Sequence, residues 1–423
     1  MYDNLRKLFS KKAQDIFRTE KEKTIFEKCF FNTIDTTLQH MEDGSIFVIT
    51  GDIPAMWLRD SSAQVMQYLY FCKEDEETRN LIKGVLKKQF EQIMIDPYSN
   101  AFMKDETGIS EWDGVMKSDY LPKITWERKY ELDSICYPLF LTIKYFEKTN
   151  DLSIFNNAFF NAFDKIIETV KKEQKHSELS TYFFYRKCSS VEDVGVSDPK
   201  GEKGLVWSGF RPSDDECIYN YHIPDNMFLV SVLNSLSNIF KNVLKDENRC
   251  KTCVDLVNSL KCLIEKYGIV YIEGIGKVYV SETDCLGKYH IDDDANIPSL
   301  LSLPYLEYPF LDKEIYENTR RYILSKNNKY YFEGKYLKGI GSPHTPKNRV
   351  WPLSLTMQGI TSNSKEEILD CYNMLINSTN GTNLMHESID VNDTSIYSRP
   401  WFAWANSLFS YFVLSKEDII KNI

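Results

Sequence analysis

The sequence predicts an all-α protein built as a barrel of helical hairpins, with a single domain over residues 1–423. Segments with a helical hydrophobic period recur along the whole chain, whereas alternating strand patterns are few and short. Long polar and aromatic stretches rich in Gly, Pro, Asp and Trp separate them, and no Gly/Ser- or Pro-rich linker divides the chain. Because rigid elements commonly position functional loops, we expect long loops at one end of the barrel to form a pocket.

The predicted elements follow from these patterns. Helices are predicted over 5–17, 24–40, 61–73, 78–95, 131–149, 152–174, 225–244, 250–266, 313–325, 365–378 and 400–415. Short strands are predicted within 45–50, 181–186 and 268–274. Neither a βαβ alternation nor a Gly-rich phosphate fingerprint accompanies them, which leaves the all-α class.

The charge balance limits the classes of partner. The formal net charge is −10 and the pI about 5.3, and no basic tract is present, so nucleic acid is not an expected partner. No stretch approaches the roughly 18–20 apolar residues of a membrane span, so no membrane association is expected. The first 17 residues have the pattern of an amphipathic helix and not of an export signal. We therefore expect a cytoplasmic protein.

Two segments raise the question of a metal. Cys250 and Cys253 have a C-x-x-C spacing, but no second Cys/His pair accompanies them and the surrounding run has a helical period. Three consecutive acids at 292–294 suggest calcium, yet they neither alternate nor end in a bidentate Glu as an EF-hand loop does. The sequence therefore predicts neither a metal nor a cofactor.

The loop that precedes the third predicted helix carries a sugar-binding pattern, TGDIPAMWLRDS. The ring of Trp57 suits the apolar face of a pyranose, and Arg59 and Asp60 suit bidentate hydrogen bonds to neighbouring hydroxyls. The alternative is that Asp60 only caps a helix and Trp57 only fills the core.

Two further segments concentrate charge. Residues 126–134 place five charges among nine residues, including Glu127 and Arg128, which indicates either a ligand-facing helix start or a solvated charged face. In WSGFRPSDDE, Arg211 precedes Asp214 and Asp215. Adjacent carboxylates repel, so one of them in a dry pocket could hold a proton near neutral pH. The alternative is an acidic helix N-terminus.

The remaining loops supply the other half of a site. His344 lies between prolines on a Gly-rich loop, and Glu387 lies in a short polar loop before an aromatic-rich helix. Trp401 and Trp404, at i and i+3, form either a sugar-binding wall or core, and core is favoured for Trp404. Two separate acidic loops with Trp-bearing loops indicate glycoside hydrolysis, which needs one protonated and one ionised carboxyl group.

Together these segments resemble glycoside hydrolase family 125. The matching blocks are TGDIPAMWLRDSSAQ, WERKYELDSICYP, WSGFRPSDD, DDDANIPSLLSLPYL, GIGSPHTP, and MHESID with SRPWFAWANSLF. They follow one another in consistent order from about residue 30 to 412. The resemblance implies an (α/α)6 barrel, or helical toroid, and a metal-independent exo-α-1,6-mannosidase that inverts the anomeric configuration. Its partner would be an α-mannoside oligosaccharide, such as an N-glycan fragment.

The resemblance also implies roles for individual residues. Glu387 would be the general base, and Asp214 the general acid, with Asp215 as the alternative. Trp57, Arg59 and Asp60 would bind the terminal mannose, and His344 would complete that subsite. The chain departs from the family pattern at Glu216 and His222. Other hypotheses remain: a different (α/α)6 activity such as an α-glucosidase or sugar phosphorylase, or a non-catalytic mannose-binding protein.

Overall fold

The computed structural model describes residues 1–186, 194–195 and 201–422. Within these ranges the chain forms fourteen α-helices. They are α1 Asp3–Ile16, α2 Glu20–Thr36, α3 Leu58–Ala63, α4 Glu76–Ile95, α5 Leu132–Thr149, α6 Asn157–Glu173, α7 His176–Leu179, α8 Ile223–Ile239, α9 Glu247–Tyr267, α10 Lys313–Ile323, α11 Pro352–Thr361, α12 Lys365–Asn377, α13 Ala403–Ser415 and α14 Glu417–Ile420. A 3₁₀ turn over Met66–Tyr70 follows α3, and a π-helical segment over Phe240–Leu244 extends α8.

The long helices form two concentric rings. Neighbouring helices α3, α5 and α8 pack in sequence, as do α11 and α13, and α13 closes the ring against α3 and its 3₁₀ turn. Along the chain each inner helix follows an outer one, in the order α2, α4, α6, α9, α10 and α12. The sixth inner position falls to an irregular turn segment between α9 and α10, where Tyr305 packs against Phe140 and Tyr411. This alternation is the predicted (α/α)6 barrel.

Burial explains why the two rings differ in sequence. In the inner helix α8 every residue from Ile223 to Leu233 is buried, so the helix is apolar on all sides. The outer helix α6 buries one stripe, at positions 159, 162, 163, 166, 167 and 170, and exposes the opposite face. Only the outer helices therefore carry a clear amphipathic period.

This difference accounts for the errors of the helix prediction. The inner helix α11 was missed because the run LSLTMQGIT is apolar all round and follows a Trp-Pro pair. The helix predicted over 61–73 is split into α3 and the 3₁₀ turn. The other ten predicted helices overlap observed ones.

Short strands occupy the loops, each two to four residues long. They are β1 Leu38–His40, β2 Ile46–Val48, β3 Met56–Trp57, β4 Ala101–Phe102, β5 Met116–Ser118, β6 Thr125–Glu127, β7 Phe184–Arg186, β8 Val194–Gly195, β9 Tyr221–His222, β10 Ile269–Ile272, β11 Gly276–Tyr279, β12 Glu282–Thr283, β13 Tyr289–His290, β14 Tyr331–Glu333, β15 Lys338–Ile340, β16 Arg349–Val350, β17 Ser388–Asp390 and β18 Tyr397–Ser398. All named strands except β9 pair antiparallel, in four hairpins and in three-stranded sheets of order β16-β17-β18, β3-β4-β6 and β5-β7-β8. Each of the three predicted strand segments contains one of them.

One helical stretch of the described chain, Ile223–Leu244, has the length and apolar composition of a membrane span. It consists of α8 and its π-helical extension, and it packs against α5 and α9. An inner barrel helix needs the same apolar composition, because both of its sides are covered by protein. One continuous cluster of buried side chains extends from Tyr2 to Ile420. That continuity supports the single-domain prediction, which stays a prediction.

Candidate active site

The inner helices begin at the same end of the barrel, and a pocket lies there. Strands β3, β6, β9 and β16 lead directly to the starts of α3, α5, α8 and α11, and the β17–β18 hairpin precedes α13. Helix N-termini carry partial positive charge and unpaired N–H groups, which favour negative charge nearby. The pocket is open to solvent, and its empty space, including the solvent at its mouth, is about 440 Å³. It is lined by Thr50, Ile53, Trp57, Arg59, Asp60, Pro212, Ser213, Asp214, Asn296, His344, Trp351, Glu387, Arg399, Phe402 and Trp404.

Six residues singled out from the sequence meet in this pocket, although they come from four separate segments of the chain. They are Trp57, Arg59, Asp60, Asp214, His344 and Glu387. The two predicted catalytic carboxyl groups therefore lie in one cavity. Aromatic side chains before and within the inner helices supply further walls, at Trp351, Phe402 and Trp404. Such a mixture of aromatic faces and a few polar groups is typical of a sugar site.

Glu387 is held at the start of β17. Its side chain is 9% exposed, the hydroxyl of Ser398 on β18 donates to Oε2 at 2.8 Å, and Nε of Arg399 lies 3.4 Å from Oε1. The backbone N–H of Glu387 donates to the carbonyl of Ser398 at 3.2 Å. One carboxylate oxygen is thus fixed by a hydroxyl and the other lies beside a cation, so the group is oriented into the pocket.

Asp214 lies on a tight turn with a left-handed backbone, at φ 64°. Two backbone hydrogen bonds close the turn. The N–H of Asp214 donates to the carbonyl of Arg211 at 2.9 Å, and the N–H of Arg211 donates to the carbonyl of Asp215 at 2.8 Å. The ammonium group of Lys129 donates to the Asp214 carbonyl at 2.7 Å. A left-handed conformation in a non-glycine residue costs about 1–3 kcal/mol and is common where a side chain is aimed for function.

Arg59 is buried among four carboxyl groups. Its Nη1 donates to Glu131 at 2.6 Å and to Asp133 at 3.1 Å, and its Nη2 donates to Asp214 at 2.9 Å. Asp60 lies 3.7 Å from Nε. The side chains of Glu131 and Asp133 are 0% exposed. Arg59 alone cannot balance the charges of all four acids, so burial favours the protonated forms of the fully buried ones.

The pKa directions in this cluster agree with that requirement. Burial raises the pKa of Asp60 to about 6 and that of Asp133 to about 7, against the opposing effect of Arg59. Burial also raises the pKa of Glu131 well above its usual range. For Asp214 the effect of burial is outweighed by the charges of Arg59 and Lys129, so its pKa lies below the usual range.

His344 lies at the rim beside Asp215. Its Nδ1 is 3.7 Å from the Asp215 carboxylate, and its side chain is 43% exposed. Hydrogen bonding to Asp215 raises the pKa of His344, opposed by burial and supported by the charges of Asp215, Asp214 and Glu387. Asp215 also accepts from Ser213 at 2.9 Å. It belongs to the supporting shell and not to the pocket lining.

Several residues predicted to bind substrate lie outside the pocket lining. Arg128 forms buried ion pairs with Asp96 at 2.6 Å and with Asp119 at 2.5 Å, and stacks near the Tyr98 and Tyr182 rings. Glu127 accepts from Asn100 at 3.1 Å and pairs with Arg186. Both side chains are paired within the fold and lie outside the lining of this pocket, and their predicted role in substrate binding stays a prediction.

Two other positions also differ from the prediction. Arg211 lies behind the acidic turn, with Nη2 3.7 Å from Asp215 and Nε 3.7 Å from Glu282, and it lines a separate small cavity. Trp401 lies across Gly51, where an added Cβ would be 2.7 Å from its ring. Trp404, expected in the core, is buried in the core cluster and also lines the pocket, with its ring 5.8 Å from the Arg59 guanidinium.

Glu131 and Asp133 are not among the predicted site residues, although the charged segment 126–134 contains both. Their signal was the spacing of two acids by two residues at the start of a helix that is otherwise apolar. Buried acids at an inner helix N-terminus need a cation, and Arg59 arrives from the start of the neighbouring helix α3. Only the packing of α3 against α5 places it there.

Comparisons with known proteins agree with this geometry. The family model described as metal-independent alpha-mannosidase (GH125) matches residues 19–414. The meiotically up-regulated gene 157 protein of Schizosaccharomyces pombe is 38% identical over 413 residues, covering 92% of this chain and 81% of that protein. A metal-independent α-mannosidase of Streptococcus pneumoniae, solved in a non-productive complex with α-1,6-mannobiose, is 39% identical, with a TM-score of 0.93 and 98% of each chain covered.

More distant structures share only the fold. A glucoamylase from Saccharomycopsis fibuligera has a TM-score of 0.57 at 10% identity, and covers 96% of this chain and 97% of its own. The match to the family model says more than these shared folds, because it covers most of the chain and includes the segments that build the pocket. The chain belongs to glycoside hydrolase family 125, the metal-independent α-mannosidases.

Proposed function

We propose that the protein is an exo-acting α-1,6-mannosidase that inverts the anomeric configuration, with Glu387 as general base and Asp214 as general acid. The observation that carries this proposal is that both carboxyl groups line one pocket, although they come from loops far apart in the chain. An inverting glycosidase needs such a pair, one group on each side of the scissile bond with space for a water molecule between. The Streptococcus pneumoniae relative with bound α-1,6-mannobiose supports the choice of linkage.

The two carboxyl groups have different surroundings. Glu387 accepts a hydrogen bond from the Ser398 hydroxyl on one oxygen and has Arg399 beside the other, so its carboxyl group is held in one orientation toward the pocket. Asp214 adjoins the buried acidic cluster around Arg59, where protons are retained. In the proposed reaction Glu387 removes a proton from water, the water oxygen attacks the anomeric carbon, and Asp214 protonates the leaving oxygen.

The pocket also suggests how mannose is held. Both Nη atoms of Arg59 are occupied by carboxyl groups of the protein, so we assign its role to Asp214 and not to the sugar. Asp60 has no such close partner and lines the pocket, which leaves its oxygens for sugar hydroxyls. Trp57 and His344 complete the subsite. A pocket at one end of the barrel fits the removal of terminal residues.

The test is hydrolysis of α-1,2-, α-1,3- and α-1,6-linked mannobioses, with release of mannose followed over time. We expect α-1,6-mannobiose to be cleaved and the other two to be cut poorly, and activity to persist in excess EDTA. Preferred cleavage of another linkage would contradict the substrate assignment. Complete loss of turnover on chelation, restored by calcium or zinc, would contradict the metal-free mechanism.

A further inference from the structure

We infer that Glu131 is a positioning residue that shares one proton with Asp214, so that the two carboxyl groups act as a single proton donor. This inference rests on the proposed role of Asp214 as general acid. It begins from the geometry of Arg59, which binds Glu131 through Nη1 at 2.6 Å and Asp214 through Nη2 at 2.9 Å. One guanidinium therefore holds the two carboxyl groups side by side.

The contacts of Glu131 show where a proton is required. Its Oε2 accepts from Arg59 and from the hydroxyl of Ser134 at 3.0 Å, whereas Oε1 is fully buried without a donor. Arg59 holds the Glu131 and Asp214 carboxyl groups on its two neighbouring nitrogens, Nη1 and Nη2, so the two groups lie beside the same cation. Two carboxyl groups can form a hydrogen bond with each other only when one of them carries a proton. A bare buried carboxylate oxygen would also cost several kcal/mol.

The two carboxyl groups differ in their exposure to solvent. The side chain of Glu131 is 0% exposed, whereas that of Asp214 is 26% exposed and faces the pocket. Burial favours the proton on Glu131, and Lys129 and Arg59 favour the charge on Asp214. The charged and titratable groups around the pair are Arg59, Asp60, Lys129, Asp133, Asp215 and His344.

The pair resolves a difficulty of the mechanism. An isolated Asp214 beside two cations would be ionised at neutral pH and could not donate a proton. In the pair, the single shared proton passes from Glu131 to Asp214, and Asp214 then gives that proton to the leaving oxygen. One O–H bond forms on the departing sugar and the pair loses one proton, which it regains from solvent through Asp214.

The decisive variant is Glu131→Gln, which keeps the shape but cannot hold the shared proton. We expect the alkaline limb of kcat/KM for α-1,6-mannobiose to move to lower pH by about one unit or more, because the like charge that retains the proton is gone. At pH 7, kcat on this substrate should fall by about 10- to 100-fold, within the range of general acid catalysis. A dinitrophenyl α-mannoside, whose leaving group needs no proton, should be cleaved at a rate close to that of the wild type.

Asp133→Asn is the matched control, since it removes a carboxyl group from the same guanidinium of Arg59 without touching Asp214. We expect a smaller shift of the alkaline limb and no difference between the two substrates. Equal losses on both substrates for Glu131→Gln, or an unmoved alkaline limb, would overturn the inference.

Asp214→Asn separates this inference from the proposed function. If Asp214→Asn lowers the turnover of both substrates equally, Asp214 is not the general acid and both proposals fail. If Asp214→Asn lowers only the turnover of mannobiose, while Glu131→Gln behaves as the wild type, only the shared proton is refuted. Should Glu131→Gln fail to fold, Glu131→Asp carries the test: its shorter side chain lengthens the contact to Asp214, so the limb must still move to lower pH.

Discussion

The hydroxyl of Ser398 donates a hydrogen bond of 2.8 Å to Oε2 of Glu387. The two residues face each other because β17 and β18 pair antiparallel, with Ser388 opposite Ser398. The orientation of the proposed base therefore depends on the register of a short hairpin and not on the loop that carries Glu387 alone. Arg399, which follows Ser398, approaches the other carboxylate oxygen to 3.4 Å.

Glu387→Gln should reduce kcat by at least about 10²- to 10⁴-fold, because proton removal from water contributes that much and an inverting enzyme has no second route. Binding of mannose, measured by calorimetry, should change little. Asp52→Asn is the matched control: Asp52 approaches the same Arg399, at 3.5 Å, but does not line the pocket. We expect that variant to keep its activity, and a fully active Glu387→Gln would refute the assignment.

Asp214→Asn should abolish most turnover of α-1,6-mannobiose, whereas Asp215→Asn should retain more. Asp214 lines the pocket, whereas Asp215 is held by Ser213 and lies beside His344 at the rim. Steady-state kinetics of both variants at one pH decide between them. An active Asp214→Asn with an inactive Asp215→Asn would transfer the acid role to Asp215.

β-Mannose should be the first product of hydrolysis. We expect the Glu387 and Asp214 carboxyl groups to lie about 6.5–9.5 Å apart in a substrate complex, which leaves room for water, and not the roughly 5–5.5 Å of a retaining pair. Proton NMR during turnover should show the β anomer first, with later mutarotation. Early α-mannose, or a glycosyl ester trapped on Glu387, would establish retention.

Arg128→Met should lower the free energy of unfolding by about 3–5 kcal/mol, because it leaves the buried Asp96 carboxylate without its partner. Where the variant folds, KM for α-1,6-mannobiose should be unchanged, since Arg128 lies outside the pocket lining. Chemical denaturation and kinetics measured on the same sample check both statements. A raised KM with unchanged stability would restore Arg128 as a substrate-binding residue.

The free energy of unfolding should decrease as the pH rises from about 4 to about 7. Burial raises the pKa of Asp133 to about 7 in the folded chain, despite Arg59, whereas an unfolded Asp titrates near about 4. Between these values the unfolded chain is ionised and the folded one protonated, so rising pH favours unfolding by at most about 1.4 kcal/mol per unit. Calorimetric Tm values should show this slope, and Asp133→Asn should flatten it; equal slopes would contradict the assignment.

The sequence by itself determined the fold class and six of the fifteen residues that line the pocket. Outer helices such as α6 expose one face and bury the other, so their period is visible. Loops dense in Trp, Gly, Pro and acids marked the end of the barrel where function lies. Trp57, Asp60, His344 and both catalytic candidates were found there, because their residue types suit sugar chemistry whatever their exact neighbours.

The tertiary structure decided which charges face the ligand and which serve the fold. Arg128 and Arg59 each lie beside acids in the sequence. Arg128 forms ion pairs with Asp96 and Asp119 within the fold. Arg59 instead forms ion pairs with acids at the pocket. Glu131 and Asp214 are neighbours only because α3 places Arg59 against both of them. Helix α11 lacks a polar face because it is enclosed on all sides. In each case the deciding partner comes from a distant part of the chain, and its presence depends on packing that a local pattern does not encode.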